Sequence, residues 1–290
     1  MLKMARFKTE ILSHKGLRNN NEDNLTDIKL ARRTYFLAVA DGMGGMIGGD
    51  LASKSVLSSV TDFIKKEIKK NNSQIILKDL LEKSFLVAQT CIADKIAANP
   101  QLKGMGSTLA AVLIKDGKYV WGNLGDSRIY LISDGVVKLI TEDHSYIQDY
   151  LKNYKYDANT TIINQYKNIV TKIIDGGSDK PDIFPELGDY EVLNKGDIFL
   201  LCSDGLIIDK TKDYSELLEE IIYNGKSLKK ITKELITWAL NNGSDDNISV
   251  VIGRFGPIKR QKSIEDDNTI RILPENKTGS DLTINKNDQG

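Results

Sequence analysis

The chain has 290 residues, of which 40% are hydrophobic and 28% are charged, and its 40 basic residues balance its 40 acidic residues. A chain of this length and composition can bury the core of one large domain or two modest ones. Because the net charge is zero and only 7% of the residues are aromatic, nucleic acid and anionic membrane surfaces are not expected partners.

Apolar runs rich in β-branched and aromatic residues predict strands along most of the chain. They cover residues 7–13, 34–40, 108–115, 118–122, 128–132, 136–140, 197–202 and 248–253. The sequences KDGK at 115–118 and SDGV at 133–136 are typical of tight hairpin turns. The stretch 108–140 therefore predicts an antiparallel meander.

Apolar residues at spacings of three to five predict two helices after a glycine-rich loop, within 51–68 and 77–96. Two further helices are predicted at 217–222 and 228–240. Strands alternate with helix pairs rather than with single helices. This order favours an α+β fold in which helices cover the outer faces of antiparallel sheets.

Two segments lack a regular period. Residues 145–168 are polar and rich in tyrosine, and we expect an irregular surface excursion there. From residue 256 onward there is no aromatic residue, and the segment cannot bury enough apolar surface to offset its ordering entropy. The sequence thus predicts a domain at 1–255 and a disordered C-terminal tail at 256–290.

The N-terminal segment has no continuous apolar run of the kind found in signal peptides, and no apolar stretch is as long as a membrane span. We therefore expect a cytoplasmic protein without a membrane partner. The two cysteines, Cys91 and Cys202, lie in separate apolar runs and are expected to be buried, reduced thiols.

Several carboxylates share one kind of position, at or just beyond the edge of an apolar run. They are Asp41, Asp126, Asp204, Asp246 and the pair Glu22–Asp23, which follows the first strand. A single aspartate in such a position is usually a turn former or a helix cap. So many placements on rigid strand ends indicate that the carboxylates converge in one site.

A cluster of ionised carboxylates repels itself and is stable only around a cation. Ligands that are all oxygen, without histidine or cysteine, indicate a hard ion such as Mg²⁺ or Mn²⁺. The glycines after Asp41 agree with this, because Gly42 has no side chain to keep its carbonyl away from an ion. The loop matches neither a Walker loop nor a dinucleotide-binding fingerprint.

Seven sequence blocks then occur in the order expected of the metal-dependent protein phosphatases of type 2C. They are RNNNED, ADGMGG, GMGSTLAAVLI, GNLGDSRIYLISDG, TEDHS, GDIFLLCSDGL and GSDDNISVVI. The chain resembles the bacterial serine/threonine phosphatases of this family over residues 6–255. The resemblance implies a four-layer α-β-β-α sandwich, with two antiparallel sheets flanked by helix pairs and a two-metal site at one end.

The resemblance also implies which residues hold two Mn²⁺ or Mg²⁺ ions. Asp41 would bridge both ions. Asp204 and Asp246 would complete the coordination of one ion, and the carbonyl of Gly42 would be a ligand of the other.

Further roles follow from the same resemblance. Asp23, and with it Glu22, would hold waters bound to the ions. Asp126 would bind a weaker third ion together with Asp204, and Arg18 would grip the substrate phosphate. The implied catalytic residues are thus Arg18, Asp23 and Asp41.

The implied reaction is the hydrolysis of phosphoserine and phosphothreonine in proteins by a water that bridges two ions. A guanidinium suits the phosphate because it offers a planar fork for two oxygens, which lysine cannot reproduce. Histidines that relatives carry near the Asp-Gly pair are replaced here by Met43 and Met46, so the general acid is unassigned. His144 is expected to have a structural role.

Two alternatives to a general phosphatase stay open. One is a catalytically weak pseudophosphatase that acts as a binding module, although no expected aspartate or arginine is lost. The other is a phosphatase dedicated to an anti-sigma-factor antagonist, although such enzymes often lack a flap, which here corresponds to 145–168.

The expected partners are phosphoprotein substrates, including a bacterial-type serine/threonine kinase and its targets, and the chain is expected to be a monomer. In the tail, Thr269 lies in an acidic setting with Ile272 three residues later. We hypothesise that it is a kinase-phosphorylated docking site for a phosphothreonine-binding partner.

Overall fold

A computed structural model describes residues 6–70, 76–154, 165–177, 184–225 and 227–257. Thr269, most of the expected tail and the central part of the expected flap lie outside these residues. The division into a domain and a disordered tail therefore stays a prediction. Within the described ranges, no helix combines the length and the apolar character needed to cross a membrane.

Two antiparallel sheets form the centre of the fold. The strands of the first sheet are β1 Phe7–His14, β7 Arg128–Ser133, β8 Val136–Leu139, β11 Ile198–Cys202 and β12 Ile248–Phe255, in the spatial order β1-β12-β11-β7-β8. The strands of the second sheet are β2 Asp23–Ala31, β3 Thr34–Met43, β4 Gly106–Ser107, β5 Leu109–Lys115, β6 Lys118–Leu124, β9 Glu186–Leu187 and β10 Glu191–Val192. Its order is β10-β6-β5-β3-β2, with β4 on β3 and β9 on β6.

Helix pairs cover the outer faces of both sheets. Helices α1 Gly45–Lys70 and α2 Leu77–Ala98 pack on the second sheet, and α4 Ser215–Asn224 and α5 Leu228–Asn241 pack on the first. A further helix, α3 Tyr146–Tyr154, follows β8. The predicted α+β fold with four α-β-β-α layers is confirmed.

The two faces of β3 show why its sequence is continuously apolar. Phe36 and Ala38 belong to the core under α1 and α2, whereas Leu37 and Val39 belong to the core between the sheets. All four side chains are fully buried. A strand buried on both faces loses the usual alternation of apolar and polar residues, so the run that ends at Asp41 is fixed on both sides.

The predicted meander over 108–140 is wrong. β5 pairs with β6 and β7 pairs with β8, but the two hairpins belong to different sheets. The chain crosses between the sheets at Gly125, which has φ of +119° and where a Cβ would lie 2.5 Å from the Cβ of Thr108. Local turn signals predict each hairpin but carry no information on which sheet receives it.

The structure also corrects three predictions about single elements and residues. β2 was not predicted, because it is an edge strand with most residues only partly buried, so its alternation is weak. The irregular excursion contains α3, whose Ile147 is buried and whose Tyr146 stacks on Tyr150 with ring centroids 6.5 Å apart. Both cysteines are free thiols, but only Cys202 is buried, because Cys91 lies on a partly exposed face of α2.

Candidate active site

A cleft of about 570 Å³ opens where β3 and β11 end and where β2 and β12 begin. It is lined by most of the residues that the sequence singled out, namely Arg18, Glu22, Asp41, Gly42, Asp126, Asp204 and Asp246. Asp23 is 6% exposed and is paired in register with Asp41. The fold thus brings together all eight predicted site residues, which are far apart along the chain.

The pairing of Asp23 with Asp41 places two carboxylates directly across an antiparallel ladder. Like charges in such a pair destabilise a sheet, since the Cβ atoms are only about 5 Å apart. Desolvation raises the pKa of Asp23 to about 7, although the hydrogen bond from Ser203 opposes the shift. Desolvation, followed by repulsion from Asp23 and Asp204, raises the pKa of Asp41 well above its usual value.

The other carboxylates of the cleft are perturbed in the same direction. Desolvation, followed by repulsion from Asp204, raises the pKa of Asp126 to about 6. The same two causes raise the pKa of Asp246, and desolvation raises that of Glu22. A divalent cation bound among these carboxylates would offset their mutual repulsion and favour their ionised forms.

Backbone hydrogen bonds fix the position of Asp41. Its N–H donates to Thr108 Oγ1 over 2.9 Å, and its carbonyl accepts from Thr108 N–H over 2.8 Å and from Ser107 Oγ over 3.0 Å. Next to it, a Cβ on Gly42 would lie 2.0 Å from the carbonyl oxygen of Gly49. Only glycine fits this close approach of two backbone segments.

Among the residues that the structure describes, two buried carboxylate oxygens have no hydrogen-bond partner. Asp23 Oδ2 accepts from Ser203 Oγ over 2.7 Å, but Asp23 Oδ1 is buried and unpaired. Asp204 Oδ1 is buried and unpaired as well. Unpaired buried acceptors are costly, and the acidic side chains of the cleft offer oxygen ligands. The residues present therefore fit the hard divalent ions that the sequence predicted.

The protein's own cations contact three of these carboxylates. Arg18 Nη2 donates to Asp246 Oδ2 over 2.7 Å. Lys210 Nζ donates to Asp126 Oδ2 over 2.5 Å and to Asp204 Oδ2 over 3.0 Å. Across the described ranges, no three acidic, histidine or cysteine side chains are drawn together into one coordination shell. The carboxylates share a cleft, where Lys210 bridges Asp126 and Asp204 and Arg18 pairs with Asp246.

Asn247 joins the two segments that frame the cleft, and sequence reasoning did not single it out. Its Oδ1 accepts from the N–H of Glu22 over 2.8 Å, and its Nδ2 donates to the carbonyls of Lys15 and Asn20 over 2.8 and 2.9 Å. Its own N–H donates to Asp246 Oδ1 over 2.7 Å. The sequence feature that could have identified Asn247 is its position directly after Asp246 in the block GSDDNISVVI.

A buried ion pair supports the loop that carries Asp126. Arg128 Nε and Nη2 donate to the two oxygens of Asp143 over 2.9 and 2.8 Å. The next residue, His144, accepts from the N–H of Gly125 through Nδ1 over 3.1 Å and donates its own N–H to the Gly125 carbonyl over 3.0 Å. These contacts agree with the structural role expected for His144. The ion pair itself was not predicted.

Comparison with known proteins agrees with this fold. A family model described as Protein phosphatase 2C matches residues 12–247. The serine/threonine phosphatase stp of Listeria innocua is 30% identical over 249 residues, which cover 86% of this chain and 94% of the relative.

Solved structures show the same similarity. The Mycobacterium tuberculosis serine/threonine phosphatase PstP/Ppp superposes with a TM-score of 0.73 at 28% identity, covering 87% of this chain and 99% of that one. The catalytic domain of PstP in complex with two manganese ions superposes with a TM-score of 0.72 at 28% identity, covering 88% and 100%. Since the family model spans most of the chain and the architecture is shared, this chain belongs to the protein phosphatase 2C family.

Proposed function

We propose that this chain is a Mn²⁺- or Mg²⁺-dependent protein phosphatase that hydrolyses phosphoserine and phosphothreonine in phosphoproteins. The observation that carries the proposal is one cleft that gathers Asp41, Asp126, Asp204 and Asp246 around buried, unpaired carboxylate oxygens, with Arg18 at its edge. Family membership and two manganese ions in a structure of similar fold support the same chemistry.

In this proposal Asp41, Asp204, Asp246 and the carbonyl of Gly42 hold two divalent ions. When bound, such ions supply the Lewis acidity that activates water and neutralises the charge on phosphorus. Asp23 does not line the cleft, but its hydrogen bond from Ser203 fixes it behind Asp41. Glu22 and Asp23 orient the water molecules that complete the site.

Arg18 is the proposed ligand of the substrate phosphate. Its side chain is 50% exposed and lines the cleft, and its Nε donates to the carbonyl of Asp245 over 2.9 Å. This contact, together with the one to Asp246, holds the guanidinium at the rim. A phosphate dianion can then accept from the guanidinium in a bidentate manner, which a solvated lysine would not provide.

Protein groups offer little direct help to the leaving alkoxide. Met43 lines the cleft where relatives have histidine, and the described lining contains no imidazole. We therefore assign the proton of the leaving group to water. The catalytic contribution of the chain is then positioning and electrostatic stabilisation rather than proton transfer by a side chain.

For the setting, we propose a cytoplasmic monomer that opposes a bacterial-type serine/threonine kinase and acts on its targets. Relatives named as serine/threonine phosphatases in Listeria and Mycobacterium support phosphoproteins as the substrates. A pseudophosphatase is less favoured, because every acidic position and Arg18 are present. A phosphatase dedicated to an anti-sigma-factor antagonist is less favoured because a segment of flap length is retained.

The test is hydrolysis of p-nitrophenyl phosphate and of matched phosphoserine, phosphothreonine and phosphotyrosine peptides. We expect activity with Mn²⁺ that EDTA abolishes, and a preference for the serine and threonine peptides. Asp204→Asn should lower kcat/KM at least about 100-fold, whereas Asp62→Asn, an exposed aspartate on α1, should not. Activity that survives both EDTA and Asp204→Asn would contradict the proposed mechanism.

A further inference from the structure

Lys210 lies between two carboxylates of the cleft. Its Nζ is 2.5 Å from Asp126 Oδ2 and 3.0 Å from Asp204 Oδ2. The side chain of Lys210 is 9% exposed and that of Asp126 is 1% exposed, so the ammonium is nearly enclosed by protein. A nearly enclosed ammonium with two carboxylate partners has the pairing that a buried charge requires.

The loop that carries Lys210 is well defined. The carbonyl of Lys210 accepts from Arg128 Nη2 over 3.3 Å, and the N–H of the preceding Asp209 donates to the Tyr214 hydroxyl over 2.8 Å. Tyr214 is 7% exposed and packs against Trp238 of α5 with ring centroids 5.7 Å apart. The backbone around Lys210 is thus tied to the core of the first sheet, so the ammonium is held in place rather than free to move with solvent.

The two oxygens of Asp204 differ in their hydrogen bonding. Oδ2 accepts from Lys210, whereas Oδ1 is buried without a hydrogen-bond partner. This difference leaves Oδ1 for the pair of divalent ions of the proposed function. With Oδ1 left to that pair, a further ion shared by Asp126 and Asp204 would need Asp204 Oδ2, which Lys210 contacts, at the shorter distance of about 2.1 Å that Mg²⁺ requires.

We propose that the ammonium of Lys210 replaces the third divalent ion that the family resemblance assigned to Asp126 and Asp204, so that this chain binds two divalent ions and not three. Lys210 is then a positioning residue, which neutralises Asp126 and orients Asp204 for the ion pair. The inference rests on the proposed function, since it presupposes a site for two ions in the same cleft.

The experiment counts Mn²⁺ ions bound to the full chain by equilibrium dialysis, with free Mn²⁺ measured by electron paramagnetic resonance into the millimolar range. Wild type should bind two ions with no weak third step. Lys210→Ser removes the ammonium and opens space, so it should gain one weaker ion. The double variant Lys210→Ser/Asp126→Asn should return to two ions.

Lys212→Met is the matched control, because Lys212 lies two residues further on, is 69% exposed and pairs with Asp209. It should bind two ions, like wild type. If Lys210→Ser fails to fold, Asp126→Asn in the wild-type background decides the question. It should leave the count at two, whereas an enzyme with a third ion would lose one.

The outcomes separate this inference from the proposed function. A wild-type chain that binds three ions would overturn the inference and leave the phosphatase activity standing. A folded Lys210→Ser that still binds two ions would overturn it as well. A wild-type chain that binds no Mn²⁺ and hydrolyses none of the phosphopeptides would overturn the proposed function and the inference together.

Discussion

The buried pair of Arg128 and Asp143 offers a test of how the fold supports the cleft. Their side chains are 5% and 3% exposed, and the guanidinium binds the carboxylate in a bidentate manner. Burial lowers the pKa of Arg128, but the hydrogen bond and charge of Asp143 outweigh this and raise it above its usual value. Arg128 therefore keeps its charge in the folded protein.

Removing one partner leaves the other charge buried and alone. Arg128→Met and Asp143→Leu should each lower the free energy of unfolding by about 3–5 kcal/mol. This is a large part of the about 5–15 kcal/mol that stabilises a typical domain. The double variant replaces both charges by apolar groups, which is often close to neutral.

Two further contacts of Arg128 determine how much unfolding free energy the double variant should lose. Arg128 also donates to the Tyr130 hydroxyl and to the carbonyl of Lys210, each over 3.3 Å. Losing these bonds costs roughly 1 kcal/mol each, so the double variant should lose about 2 kcal/mol. The two single effects together amount to about 6–10 kcal/mol, and a large coupling between the residues is therefore expected.

The assay is urea unfolding followed by the fluorescence of Trp121 and Trp238, with the slope compared among variants to exclude changes in the unfolded state. Lys78→Ala is the control, because Lys78 pairs with Asp189 at the surface, where Asp189 is 90% exposed. It should change stability by less than about 1 kcal/mol. A double variant that loses as much as the two single variants together would refute this reasoning.

Three further predictions concern the cleft. Gly42→Ala should lower both Mn²⁺ affinity and kcat/KM at least about tenfold, because the new Cβ would lie 2.0 Å from the backbone oxygen of Gly49. Dialysis measures the affinity and peptide hydrolysis measures kcat/KM. An unchanged affinity would contradict the close approach of the two backbone segments. Arg18→Lys should lower kcat/KM for phosphopeptides about tenfold through loss of the bidentate fork, while the melting temperature stays unchanged because the side chain is 50% exposed. In EDTA, pKa values raised to about 7 for Asp23 and about 6 for Asp126 mean that the folded state binds more protons than the unfolded state. The stability that these two groups contribute is therefore complete below their unfolded-state pKa of about 4 and is lost as the pH rises through about 6 and 7. Thermal melts between these pH values should show the loss and its reversal by Mn²⁺, and a melting temperature that rises with pH in EDTA would contradict the assignment.

Local patterns in the chain were sufficient for much of the fold. The run 34–40 predicted a buried strand, and the spacing of apolar residues within 51–68 predicted α1, because periodicity records which face of an element is buried. Edge strand β2 was missed because its partly exposed residues leave a weak pattern. The division of 108–140 between two sheets was missed because each hairpin is specified by its own turn.

The candidate residues of the cleft also came from the chain, through the recurrence of aspartates at the edges of apolar runs and the order of the family blocks. Their assembly is visible only in the structure. The register of β2 on β3 sets Asp23 across from Asp41, and Asn247 connects Glu22 with Asp246 over more than two hundred residues of sequence.

The sequence by itself thus determined the layers of this protein, its family and the acidic residues that line its cleft. The tertiary structure decided which charges meet, including Lys210 with Asp126 and Asp204, and Arg128 with Asp143. The physical reason is that burial along one strand or helix is a periodic, local property of the chain. A contact between side chains from different elements depends on register, on sheet assignment and on loop path, none of which a single segment encodes.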